Sequence, residues 1–298
     1  MKMHDGEVDI DIHVVERLIT AQFPQFAELP IRPVRSTGTV NTIYRLGDHL
    51  YARLPRLQPW AAELEKEWKW LPRLARHVSL TIPEPVALGE PASEFPLPWA
   101  IYRWIDGAPY SDASVKDERE VAAALAQFVM ELRSVEPDSD APRGGRRPLR
   151  ELDAPTREAI EAARDLIDGD AALEAWARAL EAPAWDGNPV WIHADLLRPN
   201  LLLRDGRLAA VIDFGSAGVG DPAADVIAAW SVFSRAGRAT YRRALGVDDG
   251  VWQRARGYAL HQAALIIPYY RKTNPEFVAL AKRTVEEVLA DLRESGTT

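Results

Sequence analysis

The sequence of 298 residues predicts an α+β fold of two unequal lobes: a small β-rich lobe over residues 1–104 and a larger, mostly helical lobe over residues 105–298. Two observations lead to this prediction. The first third of the chain contains short runs rich in Val, Ile, Thr and Tyr that are separated by turn residues, as is typical of strands. From Ser114 onward, apolar residues recur at helical spacing instead. We expect the junction between the lobes near residues 105–107.

Five short strands and one helix are expected in the first lobe. The strand-like runs cover residues 30–35, 39–46, 50–54, 86–88 and 99–104. Gly47 and Asp48 separate the second and third runs and favour a tight hairpin turn between them. A helix is expected over residues 60–74, because apolar side chains recur there every three or four residues. These apolar residues are Leu64, Trp68, Leu71 and Leu74.

The second lobe is expected to be helical apart from one stretch of strands. Helical periodicity extends over residues 115–134, 155–181, 222–235, 238–246, 250–271 and 275–294. Residues 190–214 interrupt this series with a run of β-forming residues. Residues 137–155 contain four arginines and two glycines but few large apolar residues, so we expect them to form a mobile loop.

The composition limits the classes of function. The 36 Lys and Arg residues against 44 Asp and Glu residues give a net charge of −8, which disfavours nucleic acid as the main partner because phosphate binding needs a basic face. The chain contains no Cys, which excludes disulfides, iron–sulfur clusters, thiolate zinc sites and cysteine nucleophiles. An acidic start disfavours a secretory signal, and no apolar run is long enough to span a membrane. We therefore expect a cytoplasmic protein that acts on a small molecule or a protein; the oligomeric state stays open.

Residues 191–215 carry the strongest chemical signal. An apolar strand leads into His193 and Asp195, and a polar loop follows to Asn200. A hairpin then delivers Asp213 at the end of its second strand. Two carboxylates and one amide oxygen thus leave adjacent strand ends on one side, and such hard oxygen ligands suit Mg²⁺, which otherwise binds water and substrate phosphate. The pattern therefore favours phosphoryl transfer.

The same spacing occurs in the catalytic signature of protein kinases, H-x-D-L-x-x-x-N followed by D-F-G. Here the signature is formed by His193, Asp195, Leu196, Asn200, Asp213, Phe214 and Gly215. Two other interpretations compete with it: the Asp and Asn residues could cap turns between strands, or His193 and Asp195 could ligate a transition metal. Because seven specified positions match and no second His is close in sequence to His193, phosphoryl transfer is the leading interpretation.

Together with the Gly-Asp-Pro-Ala-Ala-Asp segment at residues 220–225, these motifs resemble the aminoglycoside phosphotransferase family, which includes macrolide-phosphorylating relatives. The resemblance extends from about residue 30 to the C-terminus and is densest between residues 190 and 230. Ala194 stands where protein kinases usually have Arg, and no Ala-Pro-Glu motif follows, which favours the small-molecule branch. The resemblance implies a bilobal protein-kinase-like fold and transfer of a phosphoryl group from ATP or GTP to a hydroxyl of a drug-like molecule.

The resemblance also implies roles for individual residues in the second lobe. Asp195 is expected to be the catalytic carboxylate that orients the acceptor hydroxyl or takes its proton. Asn200 and Asp213 are expected to hold Mg²⁺ against the nucleotide phosphates. His193 is expected to brace the loop, and Asp225 to support the loop without touching substrate.

In the first lobe, the resemblance implies a nucleotide grip. Arg53 stands at the position of the lysine that holds the α- and β-phosphates in kinases, and Glu67 on the following helix is its expected ion-pair partner. Residues 35–42 are expected to cover the phosphates, and the backbone of residues 103–105 is expected to face the purine. The expected nucleotide contacts are Ser36, Thr37, Arg53, Glu67, Arg103, Trp104, Ile105 and Ile212.

The sequence determines the acceptor less well than the reaction. Many acidic residues between 115 and 185 favour a polycationic aminoglycoside, although their helical spacing is also typical of a solvated face. Aromatic residues between 226 and 272 could line an apolar pocket for a macrolide or simply form core. We rank an aminoglycoside first and a macrolide second, ahead of a metabolic kinase for a choline-, homoserine- or sugar-like hydroxyl. A catalytically silent nucleotide-binding regulator is the alternative from another class.

Overall fold

The structure is a computed structural model that describes residues 7–34 and 40–295. These residues divide into two compact units. The first unit contains the described residues up to 108 together with 210–215, and the second contains residues 109–209 and those from 216 onward. A strand-rich first unit and a mostly helical second unit confirm the predicted α+β class. No helix within the described ranges is both long and apolar enough to cross a membrane.

The first unit is built on a five-stranded antiparallel sheet with the strand order β1-β2-β3-β5-β4. Its elements are α1 (Ile12–Gln22), β1 (Ile31–Pro33), β2 (Asn41–Leu46), β3 (Leu50–Pro55), α2 (Gln58–Leu74), β4 (Pro85–Gly89) and β5 (Trp99–Arg103). All five predicted strands and the predicted helix are present. The predicted turn between β2 and β3 has Gly47 at φ +56°, a left-handed conformation that glycine adopts without steric cost.

Helix α1 is an element that the sequence analysis does not predict. The side chain of Asp11 caps the helix by accepting a hydrogen bond of 2.9 Å from the backbone N–H of Val14. Val15, Leu18 and Ile19 are buried in the apolar core of the first unit, where they pack with residues of β3 and β5. The apolar stripe is only two turns long, which is too short to stand out from the acidic segment before it.

The second unit is mostly helical. Its elements are β6 (Ala108–Pro109), α3 (Glu118–Arg133), α4 (Asp153–Ala162), α5 (Gly169–Leu180), β7 (Val190–Ile192), β8 (Leu201–Arg204), β9 (Arg207–Val211), β10 (Gly218–Gly220), α6 (Ala223–Val226), α7 (Ala228–Ser231), α8 (Arg235–Leu245), α9 (Asp249–Tyr270) and α10 (Pro275–Ser295). Strand β6 begins at the last residue of the first unit, and strand β9 ends in the first unit. Strands β7 and β10 pair in antiparallel fashion, and this pairing fixes the start of the loop over residues 193–200.

Two predicted helices are each divided in two. The helix predicted over 155–181 is α4 and α5, because the side chain of Asp168 accepts a hydrogen bond of 3.1 Å from the N–H of Ala171 and starts a new helix there. The helix predicted over 222–235 is α6 and α7, followed by α8 from Arg235.

The expectation of a mobile loop over residues 137–155 is wrong. The N–H of Gly144 donates to the carbonyl of Val219 at 3.0 Å, and the N–H of Val219 donates to the carbonyl of Pro142 at 2.7 Å. Glycine is required for this approach, since a Cβ on Gly144 would lie 2.6 Å from the backbone nitrogen of Gly218. The segment is therefore tied to β10 by backbone hydrogen bonds.

Candidate active site

The backbone turns sharply at the end of β7. Ala194 has φ +67°, a left-handed conformation that costs a residue with a Cβ roughly 1–2 kcal/mol. The fully buried carboxylate of Asp225 compensates, because it accepts hydrogen bonds from the N–H of His193 at 3.0 Å and from the N–H of Ala194 at 2.7 Å. Asp225 is itself held by Tyr241, whose hydroxyl donates to the Asp225 backbone carbonyl at 3.0 Å. The turn is thus fixed from inside the second unit.

The side chain of His193 is buried beneath the loop that follows. Its Nδ1 accepts a hydrogen bond of 3.2 Å from the backbone N–H of Asp195. Ser231 of α7 adds a second tie, since its hydroxyl donates to the carbonyl of Leu196 at 2.8 Å. These bonds hold the backbone on both sides of the Asp195 side chain.

Two neutral amides hold the carboxylate of Asp195. The side-chain nitrogen of Asn200 donates to Oδ2 of Asp195 at 3.0 Å and to its backbone carbonyl at 2.9 Å. The side-chain nitrogen of Gln262 donates to Oδ1 at 2.7 Å. Each carboxylate oxygen therefore has an amide donor, and the two hydrogen bonds fix the orientation of the carboxylate. The sequence analysis does not identify Gln262; the available signal was a polar His-Gln pair within an otherwise apolar run of α9.

Arg146 is a second residue that sequence reasoning missed. Its guanidinium donates to the carbonyl of Ala194 at 3.1 Å, so the tied segment before α4 delivers a positive charge next to Asp195. Burial lowers the pKa of Arg146, and the negative charge of Asp195 offsets part of this effect. The sequence analysis treats residues 137–155 as a mobile loop and therefore assigns Arg146 no role. The pairing of this segment with β10 is what brings Arg146 to the loop that carries Asp195.

Two buried arginines anchor the segments around the loop. Arg198 donates to both carboxylate oxygens of Asp112, at 3.0 and 2.7 Å, and to the carbonyl of Val232 at 3.0 Å. Arg254 of α9 donates to both oxygens of Asp221, at 2.9 and 3.1 Å. Such paired, two-point contacts hold the planar guanidinium in one orientation. The loop with Asp195 is therefore supported by α6, α7 and α9.

A cleft of the second unit lies beside Gln262. Most of its lining is apolar, and the polar remainder includes one cation but no carboxylate within the described part of the chain. The lining residues are Leu197, Arg198, Pro199, Ser231, Ala259, Gln262, Ala263, Ile266, Phe277, Leu280, Ala281 and Thr284. The free volume of this cleft is about 10 Å³, which is room for about one water molecule, so the cleft does not indicate the class of the acceptor.

In the first unit, Arg53 of β3 and Glu67 of α2 form a buried ion pair. One guanidinium nitrogen, NH1, lies 2.6 Å from each carboxylate oxygen of Glu67. The hydroxyl of Tyr102 donates to the same carboxylate at 2.7 Å. Burial, the largest single effect, would lower the pKa of Arg53, but Glu67 together with Asp213 and two neighbouring tyrosines outweighs it and keeps the pKa above its usual value. The structure therefore brings the two predicted residues together.

The other side of the Arg53 guanidinium faces further polar groups. The amide oxygen of Asn41, turned toward Arg53, accepts from Nε and NH2 at 2.9 Å each. NH2 also lies 3.6 Å from Oδ1 of Asp213 and 3.9 Å from a carboxylate oxygen of Glu63. Burial, together with the negative charges of Asp213 and Glu67, raises the pKa of Glu63 to about 7. Lys66 of α2 donates to the carbonyl of Gly215 and so ties α2 to the segment that carries Asp213.

The remaining predicted nucleotide contacts differ in whether their backbone N–H groups are already hydrogen-bonded within the protein. The backbone N–H of Arg103 donates to the carbonyl of Glu84 at 2.9 Å, and that of Trp104 donates to the carbonyl of His49 at 2.8 Å. Within the described residues, the N–H of Ile105 has no acceptor, so it is the one N–H of the three that is open to a ligand. Ile212 follows β9 and directly precedes Asp213. Ser36 and Thr37 lie outside the described residues.

The donor types of Asn200 and Asp213 fit Mg²⁺. Because the amide nitrogen of Asn200 is used by Asp195, its amide oxygen, which accepts no hydrogen bond from any described residue, is open to coordinate a cation. The side chain of Asp213 is 42 % exposed, so its carboxylate is also accessible.

Comparisons with known proteins agree on one family. The sequence model of the phosphotransferase enzyme family matches residues 31–259. No curated protein sequence matches the chain. Among solved structures, the GDP and kanamycin complex of APH(2")-IIia aligns with a TM-score of 0.71 and 22% identity over 94% of this chain and 99% of that one. The GDP complex of wild-type aminoglycoside 2'-phosphotransferase-IIIa aligns with a TM-score of 0.69 and 20% identity over 95% and 99%.

A third similar structure is the apoenzyme of macrolide 2'-phosphotransferase MphH from Brachybacterium faecium, with a TM-score of 0.61 and 19% identity over 91% of this chain and 98% of that one. At these identities the structures establish the fold, which confirms the predicted kinase-like architecture. The family match extends from β1 into α9 and includes both halves of the predicted signature. The chain therefore belongs to the phosphotransferase enzyme family and is a kinase-type enzyme.

Proposed function

We propose that this enzyme transfers the γ-phosphate of ATP or GTP to a hydroxyl group of an antibiotic in the cytoplasm. The observation that carries the proposal is the arrangement at Asp195, whose carboxylate is held by amides on both oxygens at the end of a fixed turn. A carboxylate so held can orient a hydroxyl group for in-line attack. Similar structures support the nucleotide, since one holds GDP with kanamycin and another holds ADP.

In this proposal each residue of the loop has a separate task. Asp195 accepts a hydrogen bond from the acceptor hydroxyl and takes up its proton as the phosphoryl group is transferred. Asn200 and Asp213 would hold Mg²⁺, which supplies charge neutralisation for the nucleotide phosphates. His193 and Asp225 keep the backbone of the turn in place through the hydrogen bonds described above.

The first unit would bind the nucleotide. Arg53, oriented by Glu67, supplies a fixed positive charge for the phosphates. The open N–H of Ile105 would bind the purine edge, beside Arg103 and Trp104. Ser36 and Thr37 belong to the segment that would cover the phosphates, and Ile212 would contact the nucleotide beside Asp213.

The acceptor is better matched by a macrolide than by an aminoglycoside. One of the similar structures is a macrolide 2'-phosphotransferase. The acidic residues that favoured a polycation are largely engaged within the protein: Asp117 and Asp168 are helix caps, and Glu161, Asp165, Asp170 and Glu174 are paired with arginines. An aminoglycoside is the second candidate, because a similar structure holds kanamycin.

The test is a transfer assay with two acceptors. Purified enzyme is incubated with Mg²⁺ and γ-labelled ATP or GTP, with erythromycin as the macrolide and kanamycin as the aminoglycoside. We expect label in erythromycin, loss of label with Asp195→Asn, and full activity with the control Asp205→Asn. Asp205 is a suitable control because it lies in an exposed turn at φ +52°, which Asn tolerates well. Label in neither antibiotic would refute the proposed acceptor class, and transfer that survives Asp195→Asn would refute the proposed chemistry.

A further inference from the structure

Gln262 makes a contact that no motif of the sequence predicts. Its side-chain nitrogen donates to Oδ1 of Asp195 at 2.7 Å, across 67 positions of the chain. Oδ2 of the same carboxylate accepts from Asn200, which is only five positions away. The two amides therefore hold Asp195 from a local and a distant element, and removal of Gln262 would take away the hydrogen bond from the distant one.

Helix α9 presents Gln262 from a rigid position. Arg254 fastens the helix to the buried carboxylate of Asp221 through two hydrogen bonds of 2.9 and 3.1 Å. One residue before Gln262, the ring of His261 is bonded to the hydroxyl of Thr156 at 2.7 Å. A side chain that extends from a fixed helix can define the orientation of its partner, whereas one on a loose loop cannot.

The same residue also lines the apolar cleft. Ala259, Ala263 and Ile266 accompany it on the face of α9 that borders the cleft. The free volume of this cleft is about 10 Å³, room for about one water molecule, so the side chain of Gln262 is closely surrounded where it meets Asp195. Gln262 is the described residue that both lines this cleft and donates to the Asp195 carboxylate.

We propose that Gln262 is a positioning residue of the phosphotransfer site, which fixes the orientation of the Asp195 carboxylate toward the acceptor hydroxyl. The inference rests on the proposed role of Asp195. It predicts that Gln262 acts on turnover through geometry, and that it has little influence on nucleotide binding. A purely structural role predicts instead a loss of stability with no specific effect on turnover.

The kinetic test compares Gln262→Ala and Gln262→Glu with Gln253→Ala and Gln253→Glu, since Gln253 is a partly exposed glutamine of the same helix. We expect Gln262→Ala to lower kcat for label transfer by about 10-fold to 100-fold, the size of effect that misplacement of a catalytic group produces. The KM for the nucleotide and the Tm should stay at the wild-type values. Gln262→Glu should be at least as impaired, because a carboxylate cannot donate and repels Asp195. Wild-type kcat in both Gln262 variants would overturn the proposal, as would equal losses in the Gln253 variants.

Two further measurements separate this proposal from the choice of antibiotic. If neither erythromycin nor kanamycin accepts label, the same variants are compared in nucleotide hydrolysis, where water is the acceptor, and the same loss of kcat is expected. The contact itself is read from ¹H–¹⁵N spectra of protein labelled at glutamine. The side-chain amide signal that disappears in Gln262→Ala should shift in Asp195→Ala. An unshifted signal would overturn the proposal whatever the substrate.

Discussion

Substitution of Asp225 tests how the loop with Asp195 is held. Asp225 is fully buried, and its carboxylate accepts from the N–H groups of His193 and Ala194 at 3.0 and 2.7 Å. In Asp225→Asn, one oxygen remains as an acceptor while the NH2 group faces the second N–H. In Asp225→Ala, both N–H groups lose their acceptor. The two variants therefore remove one and two hydrogen bonds at a single position.

The magnitude follows from the number of buried donors left without a partner. Each buried donor that loses its acceptor costs about 1–3 kcal/mol. We expect Asp225→Asn to lower the free energy of unfolding by about 1–3 kcal/mol and Asp225→Ala by about 3–6 kcal/mol, because the smaller side chain also leaves a cavity. The control is Tyr241→Phe, which removes the hydroxyl bonded to the backbone carbonyl of Asp225 and should cost about 1 kcal/mol.

Urea unfolding followed by far-UV circular dichroism measures these differences, and label transfer is assayed where each variant is still folded. Turnover should fall in both Asp225 variants, since the turn at Ala194 loses its support, and should stay near wild type in Tyr241→Phe. An Asp225→Asn variant within 0.5 kcal/mol of wild type, or one less stable than Asp225→Ala, would refute the reasoning.

Three further substitutions have expected outcomes. Ala194→Gly should leave the free energy of unfolding unchanged or raise it by up to about 1 kcal/mol, because glycine relieves the left-handed strain; a loss above 1 kcal/mol in urea unfolding would contradict this. Burial and two nearby arginines lower the pKa of His261 to about 4, below its usual 6.5, so the stability contributed by the neutral ring is complete above pH 6.5 and is lost as the pH falls toward 4. Over this pH range, the free energy of unfolding of the wild type should therefore fall by up to about 3 kcal/mol more than that of His261→Gln. Parallel curves of unfolding free energy against pH for the two proteins would argue against this explanation. Arg254→Met leaves the carboxylate of Asp221 buried without its cation and should lower the free energy of unfolding in urea by about 3–5 kcal/mol. Adding Asp221→Asn should recover part of this loss. A double variant as unstable as the single one would count against the ion pair.

Local patterns explain what the sequence analysis predicted well. The strands from β1 to β5 and helix α2 follow from residue type and periodicity, which act over a few positions. The signature at residues 193–215 is also local, since the hairpin of β8 and β9 links its two halves. For these segments, propensity, turn residues and hydrophobic pattern agree with one another.

The features that escaped prediction depend on distant contacts. Arg146 reaches Ala194 because Gly144 and Gly218 allow two backbones to approach closely, and no periodicity encodes such an approach. Gln262 reaches Asp195 only once α9 is packed in the second unit. The break at Asp168 shows the reverse case, where one capping side chain overrides a helical pattern that continues on both sides.

Arg53 has hydrogen-bond partners on all three nitrogens of its guanidinium group. The carboxylate of Glu67 accepts from NH1, whereas the amide oxygen of Asn41 accepts from Nε and NH2, so both edges of the planar guanidinium are hydrogen-bonded. A lysine has three N–H donors on a single nitrogen and lacks the planar fork that lets Arg53 face Glu67 and Asn41 on different edges. The amide of Asn41 completes the set of partners around Arg53. The arginine at this position is therefore held in a defined orientation within the first unit.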